Sequence, residues 1–387
     1  MSAVFERPSL WQRARPIWSG FDPTLLLAVL LLAGAGLVTM YSAGYDHGTR
    51  FVDHGRNMLI AATLLFVVAQ VPPQHLQRLA IPLYAVGLLL LVAVAIPGLG
   101  ITKKGATRWL SVGVTIQPSE IMKIAMPLML AWWFQRREGQ LRALDFAIAG
   151  ALLLVPVGLI VKQPDLGTAI LVLSAGLYVI FFAGLSWKLI VPVLATAAVA
   201  IAALVAAGDR ICEPDVQWPL LREYQKHRVC TLLDPTTDPL GKGFHIIQGE
   251  IAIGSGGTGG KGFLQGTQTH LEFIPERTTD FIFAAYAEEF GLVGCALLIA
   301  GFVFLVFRGL MIAADAPTVF SRLLAGAITL GFFTYAFVNM GMVSGILPVV
   351  GVPLPFVSYG GTAMVTLGLG LGLLMSIARS RRGPQRR

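Results

Sequence analysis

The chain has 387 residues, of which 55% are hydrophobic and only 13% are charged. This charged share is about half that of an average soluble domain, which is typical of a membrane protein and excludes a large soluble domain. The net charge of +8 fits attraction to an anionic membrane leaflet and does not indicate a nucleic-acid ligand.

Apolar runs along the whole chain predict ten membrane-spanning helices, because about 20 apolar residues cross a hydrocarbon core of about 30 Å. In chain order the predicted spans are Thr24 to Gly44, Asn57 to Val71, Leu79 to Leu99, Ser119 to Phe134, Leu144 to Val161, Leu166 to Leu185, Lys188 to Ala207, Phe281 to Phe307, Leu323 to Val343 and Phe356 to Ser376. Only "KQPD" separates the fifth and sixth, so the pattern also permits nine or eleven spans. The predicted fold class is an all-α polytopic membrane protein.

Basic residues predict the orientation, because they are enriched in cytoplasmic segments. With both termini inside, 15 Lys and Arg residues fall in inner segments and 6 in short outer loops. Residues 1–23 then form a cytoplasmic segment without a cleavable signal peptide, residues 24–377 a single membrane domain, and residues 378–387 a basic cytoplasmic tail. The long loop 208–280, between the seventh and eighth helices, then faces outward.

Charged residues cluster at the outer ends of the predicted helices. They are Glu120, Lys123, Lys162, Asp165 and Asp280. A charge inside a membrane helix costs about 2.5–3.5 kcal/mol, so such residues usually face a watery cavity. Glu120 and Lys123 share one helix face and can neutralise each other. The alternative is that all five are interfacial residues reaching for water.

Two further glutamates, Glu288 and Glu289, follow Asp280 in the eighth span. A rise of 1.5 Å per residue places them about 12 Å deeper in the membrane than Asp280. Both therefore need a partner or a cavity.

Two segments are predicted not to be regular helices. The stretch from Ser344 to Thr362 contains three prolines and is expected to fold back and floor a cavity, with a simple polar loop as the alternative. The stretch from Gly254 to Gly266 contains seven glycines but lacks the spacing of a phosphate-binding loop. It is expected to turn tightly on the membrane surface. Four nearby side chains are expected to dip into the interface: Ile246, Ile247, Ile251 and Ile253.

Cys212 and Cys230 both lie in the outer loop, where an oxidising compartment permits a disulfide. Two unpaired thiols are the alternative. The sequence has no Cys or His spacing typical of a zinc site.

Several long motifs, in order, resemble the shape, elongation, division and sporulation (SEDS) family from about Phe21 to Ile377. They are "RWLSVGVTIQPSEIMKI", "QPDLGTA", "LLDPTTDPLGKGFHIIQGEIAIGSGG", "GFLQGTQTHLEFIPERTTDFIFAAYAEEFGLVG" and "NMGMVSGILPVVGVPLPFVSYGG". "HIIQ" and "GTQTHLEFIPER" resemble the elongation branch more than the division branch.

The resemblance implies a ten-helix peptidoglycan glycosyltransferase that polymerises lipid II at the outer face of the cytoplasmic membrane. It also implies a class B penicillin-binding protein, a transpeptidase, as partner. By motif, Asp280 matches the family's essential aspartate. Glu120 and Lys123 match its "QPSE" helix and Asp165 its "QPDLGT" turn, which together line one cavity.

The implied chemistry suits these residue types. A sugar hydroxyl is a weak nucleophile, so a carboxylate such as Asp280 is expected to act as general base. The departing pyrophosphate needs positive charge, for which the candidates on that side are Lys123, Lys103, Lys104, Arg108 and Arg277. Arg108 and Arg277 are equally well explained as interfacial side chains. Glu120, Asp165 and Asp280 offer oxygen ligands suited to Mg²⁺ or Mn²⁺.

Two other functions use the same features. A lipid II flippase would line a passage with buried charges, and the depth predicted for Glu288 and Glu289 favours it. A non-catalytic scaffold would only position the transpeptidase. Polymerisation is favoured because the acidic residues crowd one face of the membrane.

Overall fold

The computed structural model describes residues 20–46, 48–103, 106–213, 216, 218, 223–238, 241–271, 273–274 and 276–382. The long helices are α1 (Pro23–Ala43), α2 (Arg50–Ala69), α3 (Pro73–Ala95), α4 (Pro118–Gln135), α5 (Ala143–Lys162), α6 (Leu166–Phe182), α7 (Trp187–Ala206), α12 (Ile282–Ala314), α13 (Val319–Val343) and α14 (Gly361–Arg382). Short helices between α7 and α12 are α8 (Gly208–Ile211), α9 (Glu223–Leu233), a 3₁₀ turn (Pro235–Thr237), α10 (Lys242–Ser255) and α11 (Thr267–His270). The strands are β1 (Gly100–Lys103), β2 (Ala106–Val112) and β3 (Val114–Ile116).

Each long helix overlaps one predicted span, and eight of them are long and apolar enough to cross a membrane. The other two, α4 and α6, have 18 and 17 residues. Two helices begin more than one turn earlier than predicted, α2 at Arg50 and α3 at Pro73. The start of α3 at Pro73 fits the preference of proline for the first turn of a helix, where its missing N–H costs no hydrogen bond.

The loop between α3 and α4 forms a small sheet that the sequence analysis did not predict. Strands β1, β2 and β3 pair antiparallel in that order. Arg108 lies on the central strand, β2, so the sheet determines where this cation points. Of the predicted cations beside it, Lys104 and the side chain of Lys103 lie outside the described part of the chain.

Helix α12 begins at Ile282, one residue after the predicted start of the eighth span, and extends beyond its predicted end, Phe307, to Ala314. Helix α12 changes direction at Gly291, whose backbone is not helical (φ 61°, ψ −162°). Residues 282–289 are all buried, whereas Leu292 and Val293 beyond the break are 65% and 60% exposed. Exposed apolar side chains of a membrane bundle face lipid, so the lipid-facing span starts at Leu292. The remaining residues, 292–314, reach roughly 34 Å, enough to cross a bilayer.

The glycine loop, residues 256–262, packs into this break instead of lying on the membrane surface. Four backbone hydrogen bonds join the two segments: Lys261 N–H to Glu288 O (3.0 Å), Gly262 N–H to Glu289 O (3.0 Å), Leu292 N–H to Gly257 O (2.9 Å) and Val293 N–H to Thr258 O (3.1 Å). Gly260 has φ +80°, and a Cβ there would overlap the carbonyl of Glu289. Glycines are therefore needed for close approach of two backbones. Of the four isoleucines expected at the interface, Ile246 is buried in the protein core.

Both glutamates beside the break have partners, as their burial requires. Glu288 accepts hydrogen bonds from Lys261 Nζ (2.7 Å) and from the backbone N–H groups of Gln268 (2.9 Å) and Thr269 (3.2 Å). The carboxylate of Glu289 accepts a hydrogen bond from the hydroxyl of Ser42, close to the end of α1. The two glutamates thus lie level with the outer end of α1, and the prediction that they lie deeper in the membrane is wrong.

Cys212 and Cys230 form a disulfide with a Cα–Cα distance of 5.6 Å. It ties the residue after α8 to the third turn of α9. The predicted disulfide is therefore present, and it restrains the first part of the outer loop.

At the opposite end of the bundle, Asp22 joins α1 to α12. It caps α1 by accepting the N–H of Leu25 (3.0 Å) and pairs with Arg308 (2.5 Å). Burial opposes its ionisation, but the hydrogen bonds from Arg308, Thr24 and Leu25 hold the pKa of Asp22 well below its usual range. The pair therefore anchors the inner ends of both helices.

Packing is very unequal among the helices. Most of α13 and α14 is buried, so these two helices form the centre of the bundle. Helix α7 has no buried residue, so it does not pack into the core of the bundle.

Candidate active site

Asp280 lies in the turn directly before α12 and is half-buried. The side-chain amide of Asn339 donates to the carbonyl of Asp280 (2.9 Å) and to that of Val352 (2.7 Å). The hydroxyl of Ser358 donates to the carbonyl of Thr279 (2.7 Å). These bonds hold the backbone at Asp280 in place.

Asn339 lies near the end of α13, and Ser358 lies in the following segment, residues 344–360, which is not helical, as predicted. Gly351 has φ +77°, and a Cβ there would lie 3.2 Å from Asp280 Oδ2. A Cβ on Gly167 would lie 2.8 Å from the carbonyl of Val350. The turn at 350–351 therefore passes between Asp280 and the start of α6, which Asp165 caps.

Asp165 is buried at the N-terminus of α6 and accepts the N–H of Thr168 (3.3 Å). The side-chain amide of Gln117 donates to its other carboxylate oxygen (2.9 Å). Arg108 Nη1 lies 3.6 Å from Asp165 Oδ1, and its Nη2 donates to the carbonyl of Pro164 (2.8 Å). An anionic side chain suits the positive end of a helix, so both the helix and the arginine stabilise this carboxylate.

Glu120 and Lys123 form the ion pair that their spacing predicts, with Nζ 2.6 Å from Oε1. The hydroxyl of Thr366 donates to Glu120 Oε2 (2.9 Å), and Lys123 Nζ lies 5.4 Å from the ring centroid of Tyr335. Lys123 also lines a narrow cavity of about 50 Å³. Gln117 precedes the same helix by one residue, so the pair and Asp165 form one polar region.

Arg277, one of the predicted substrate-binding cations, contacts other groups of the protein. It is 2% exposed, pairs with Asp46 (2.5 Å) and donates from Nε to the carbonyl of Ala43 (3.0 Å). Its guanidinium also lies 5.6 Å from the ring centroid of Tyr45. Arg277 therefore fastens the turn before Asp280 to the end of α1.

The predicted metal ligands do not converge. Among the described residues, no group of three or more His, Cys, Asp or Glu side chains could hold a metal ion. Glu120, Asp165 and Asp280 thus do not form the three-carboxylate set expected for Mg²⁺ or Mn²⁺.

Polar side chains that the sequence analysis missed complete the site. They are Gln117, Tyr335, Asn339, Ser358 and Thr366. Except for Gln117, each is an uncharged polar residue within an otherwise apolar stretch, and that pattern is the signal that the sequence analysis overlooked. Such groups need hydrogen-bond partners when buried.

Replacing Lys123 with methionine is expected to lower the free energy of unfolding by about 1–3 kcal/mol, because Glu120 would lose a charged hydrogen-bond partner in a largely buried position. Adding Glu120→Gln should recover most of that loss. Thermal denaturation of the two single variants and the double variant in detergent measures both effects. Additive losses would show that the two side chains do not stabilise each other.

The family model for FtsW, RodA and SpoVE cell cycle proteins matches residues 22–383. The peptidoglycan glycosyltransferase MrdB of Escherichia coli (strain K12) is 49% identical over 363 residues, which cover 93% of this chain and 94% of MrdB. A chain from a structure described as "Structural coordination of polymerization and crosslinking by a peptidoglycan synthase complex" superposes with a TM-score of 0.76 at 32% identity, covering 94% of this chain and 99% of that one.

The crystal structure of the Thermus thermophilus rod shape determining protein RodA superposes with a TM-score of 0.68 at 28% identity, covering 95% of this chain and 99% of RodA. The residues matched by the family model include every residue of the polar region described above. The chain therefore belongs to the FtsW, RodA and SpoVE family of cell cycle proteins, the SEDS family.

Proposed function

We propose that this chain is a peptidoglycan glycosyltransferase that polymerises lipid II during cell elongation. One observation carries the proposal. Asp280 is half-buried, and only the turn at 350–351 separates it from the polar region that contains Asp165, Arg108 and the Glu120–Lys123 pair. Relatives that carry the glycosyltransferase name align over almost the full length.

In the proposed reaction, Asp280 acts as the general base. Its carboxylate accepts the proton of the attacking sugar hydroxyl, whose oxygen forms a bond to the anomeric carbon of a second lipid II. The bond from that carbon to the pyrophosphate oxygen breaks, and the lipid pyrophosphate leaves with the bonding electrons. Asp280 needs no rearrangement of its backbone to do this, because Asn339 and Ser358 already hold the turn.

Arg108 is the better placed cation for the departing pyrophosphate. Its Nε has no hydrogen-bond partner among the described residues, although it is buried. Lys123 is engaged by Glu120 at 2.6 Å and adds positive charge at longer range. A guanidinium with unused donors can stabilise the charge that develops on the leaving group.

The test is polymerisation of lipid II by the purified full-length chain in detergent, with and without its transpeptidase. Glycan strands are the expected product, detected by gel electrophoresis. A flippase cannot make strands where no bilayer exists, and a scaffold makes none. Absence of strands under every partner and divalent-cation condition would reject the proposal.

The structure removes the feature that favoured flipping. Glu288 and Glu289 lie at the outer end of α1 and bind the outer loop, so they do not mark a path towards the other face. A transport role has no other support among the described residues.

We further propose that the chain lies in the inner membrane with both termini in the cytoplasm and Asp280 facing the periplasm. The asymmetry of basic residues supports this orientation. A disulfide in the outer loop fits an oxidising compartment. In intact cells, Cys212 and Cys230 should react with a membrane-impermeant maleimide only after reduction. Labelling without reductant would contradict the disulfide, and labelling only after lysis would contradict the orientation.

The partner that fits this function is a class B penicillin-binding protein. A neighbouring solved structure belongs to a synthase complex that coordinates polymerization and crosslinking. A transpeptidase beside Asp280 would receive new strands on the same side of the membrane.

A further inference from the structure

A second polar site lies at the end of the bundle opposite Asp280. Helix α2 begins at Arg50, which donates to the hydroxyl of Thr278 beside the active-site turn, and it runs roughly 30 Å away. Helix α3 then starts at Pro73. The first turns of α3 and the last turn of α4 enclose an open cavity of about 300 Å³, lined by Gln74, Gln77, Arg78, Trp132 and Arg136.

The two arginines of this cavity have no carboxylate partner in the part of the chain that the structure describes. Among the described residues, neither Arg78 nor Arg136 forms an ion pair with a carboxylate. The neighbouring acids have other partners: Asp145 pairs with Arg137 (3.3 Å), and Glu138 accepts the side-chain amide of Gln135 (2.9 Å). Two cations that face one cavity without a counter-ion favour an anionic ligand.

The N-terminus of α3 also favours an anionic ligand. The N-cap of α3, Pro72, provides no side-chain hydrogen bond, and the first turn contains no acidic residue. The positive end of the helix is therefore not neutralised by its own cap or first turn. Gln74 and Gln77 supply neutral side-chain amides that can donate to oxygen atoms of the same ligand.

The depth of the cavity indicates where the ligand comes from. Directly beyond Arg78, the α3 side chain of Leu79 is 53% exposed, so the helix faces acyl chains from that point. The guanidinium of Arg136 lies 4.8 Å from the ring centroid of Trp132, and tryptophan is typical of the level of the lipid head groups. The cavity thus lies where a head group meets its acyl chains.

We propose that this cavity binds the phosphodiester head group of an anionic phospholipid. Arg78 and Arg136 contact the phosphate, the two glutamines donate to its oxygens or to the glycerol, and the acyl chains lie along the exposed face of α3. Basic cavities between membrane helices bind anionic lipids by this chemistry. The site is independent of the glycosyl-transfer site at the other end.

The experiment is native mass spectrometry of the full-length chain titrated in detergent with phosphatidylglycerol or phosphatidylcholine. Arg78→Gln/Arg136→Gln is compared with Lys188→Gln/Arg322→Gln, which removes two exposed cations at the same end of the bundle outside the cavity. We expect the wild-type chain to prefer phosphatidylglycerol. The first double variant should bind it at least about tenfold more weakly, and the control should stay within about twofold of wild type.

Three outcomes would overturn the proposal. The wild-type chain could bind both lipids equally, or the two double variants could weaken binding to the same extent. Displacement of phosphatidylglycerol by inorganic phosphate would identify a soluble phosphate as the ligand. Melting temperatures of both variants, measured in parallel, distinguish lost binding from lost folding.

Discussion

Replacing Asp280 with asparagine is expected to lower the rate of lipid II polymerisation by about 10²–10⁴-fold, the usual contribution of a general base. Asparagine has the same shape and can still hydrogen-bond, but it cannot accept the proton of the sugar hydroxyl. The contacts that hold the turn involve the carbonyls of Asp280 and Thr279, which the substitution keeps. The variant should therefore fold, insert and bind its partner like the wild-type chain.

The measurement is the initial rate of strand formation in detergent, together with thermal denaturation and co-purification with the transpeptidase. Asp53→Asn is the matched control, because Asp53 is an outer-end aspartate that pairs with Arg56 (3.0 Å) outside the site. We expect the control to retain its rate. Wild-type activity in Asp280→Asn would reject the general base, and a misfolded variant would instead indicate a structural role for the carboxylate.

Replacing Gly260 with alanine is expected to destabilise the protein by about 3 kcal/mol. The backbone at this position has φ +80°, and the new Cβ would overlap the carbonyl of Glu289. The helix backbone behind that carbonyl cannot move without disturbing the hydrogen bonds from Lys261 and Gly262. The cost therefore combines backbone strain with lost hydrogen bonds.

Gly259→Ala is the control in the same loop, because a Cβ there meets no atom within 4 Å and the residue has no positive φ. Melting temperatures in detergent should fall clearly for Gly260→Ala and change little for Gly259→Ala. Equal losses would show that the loop needs flexibility in general. No loss in either variant would show that the loop does not pack into the break of α12.

The positions of the long helices could be predicted from the sequence, because apolar runs of bilayer length are a strong signal. The point at which the eighth helix begins to face lipid could not be predicted. Residues 282–287 contain no charged side chain, like Leu292 and Val293, but the first group is buried in protein and the second is exposed on the bundle surface. Hydropathy measures the polarity of a side chain and not which neighbours cover it.

Only part of the candidate active site could be predicted from the sequence. Glu120 and Lys123 pair along one helix, so local spacing was sufficient. The pairing of Arg277 with Asp46 and the hydrogen bond from Gln117 to Asp165 join distant parts of the chain. A single sequence contains no signal for such contacts.

The break at Gly291 also determines how far α12 sits across the bilayer. An inward slide of α12 by roughly 14 Å would carry Glu288 and Glu289 into the membrane, where charged side chains are costly. The glycine loop opposes this movement through its backbone hydrogen bonds to residues on both sides of the break. By opposing this movement, the loop would keep Asp280, the proposed general base, at the outer end of the bundle, where a lipid-anchored sugar could meet it without leaving the membrane.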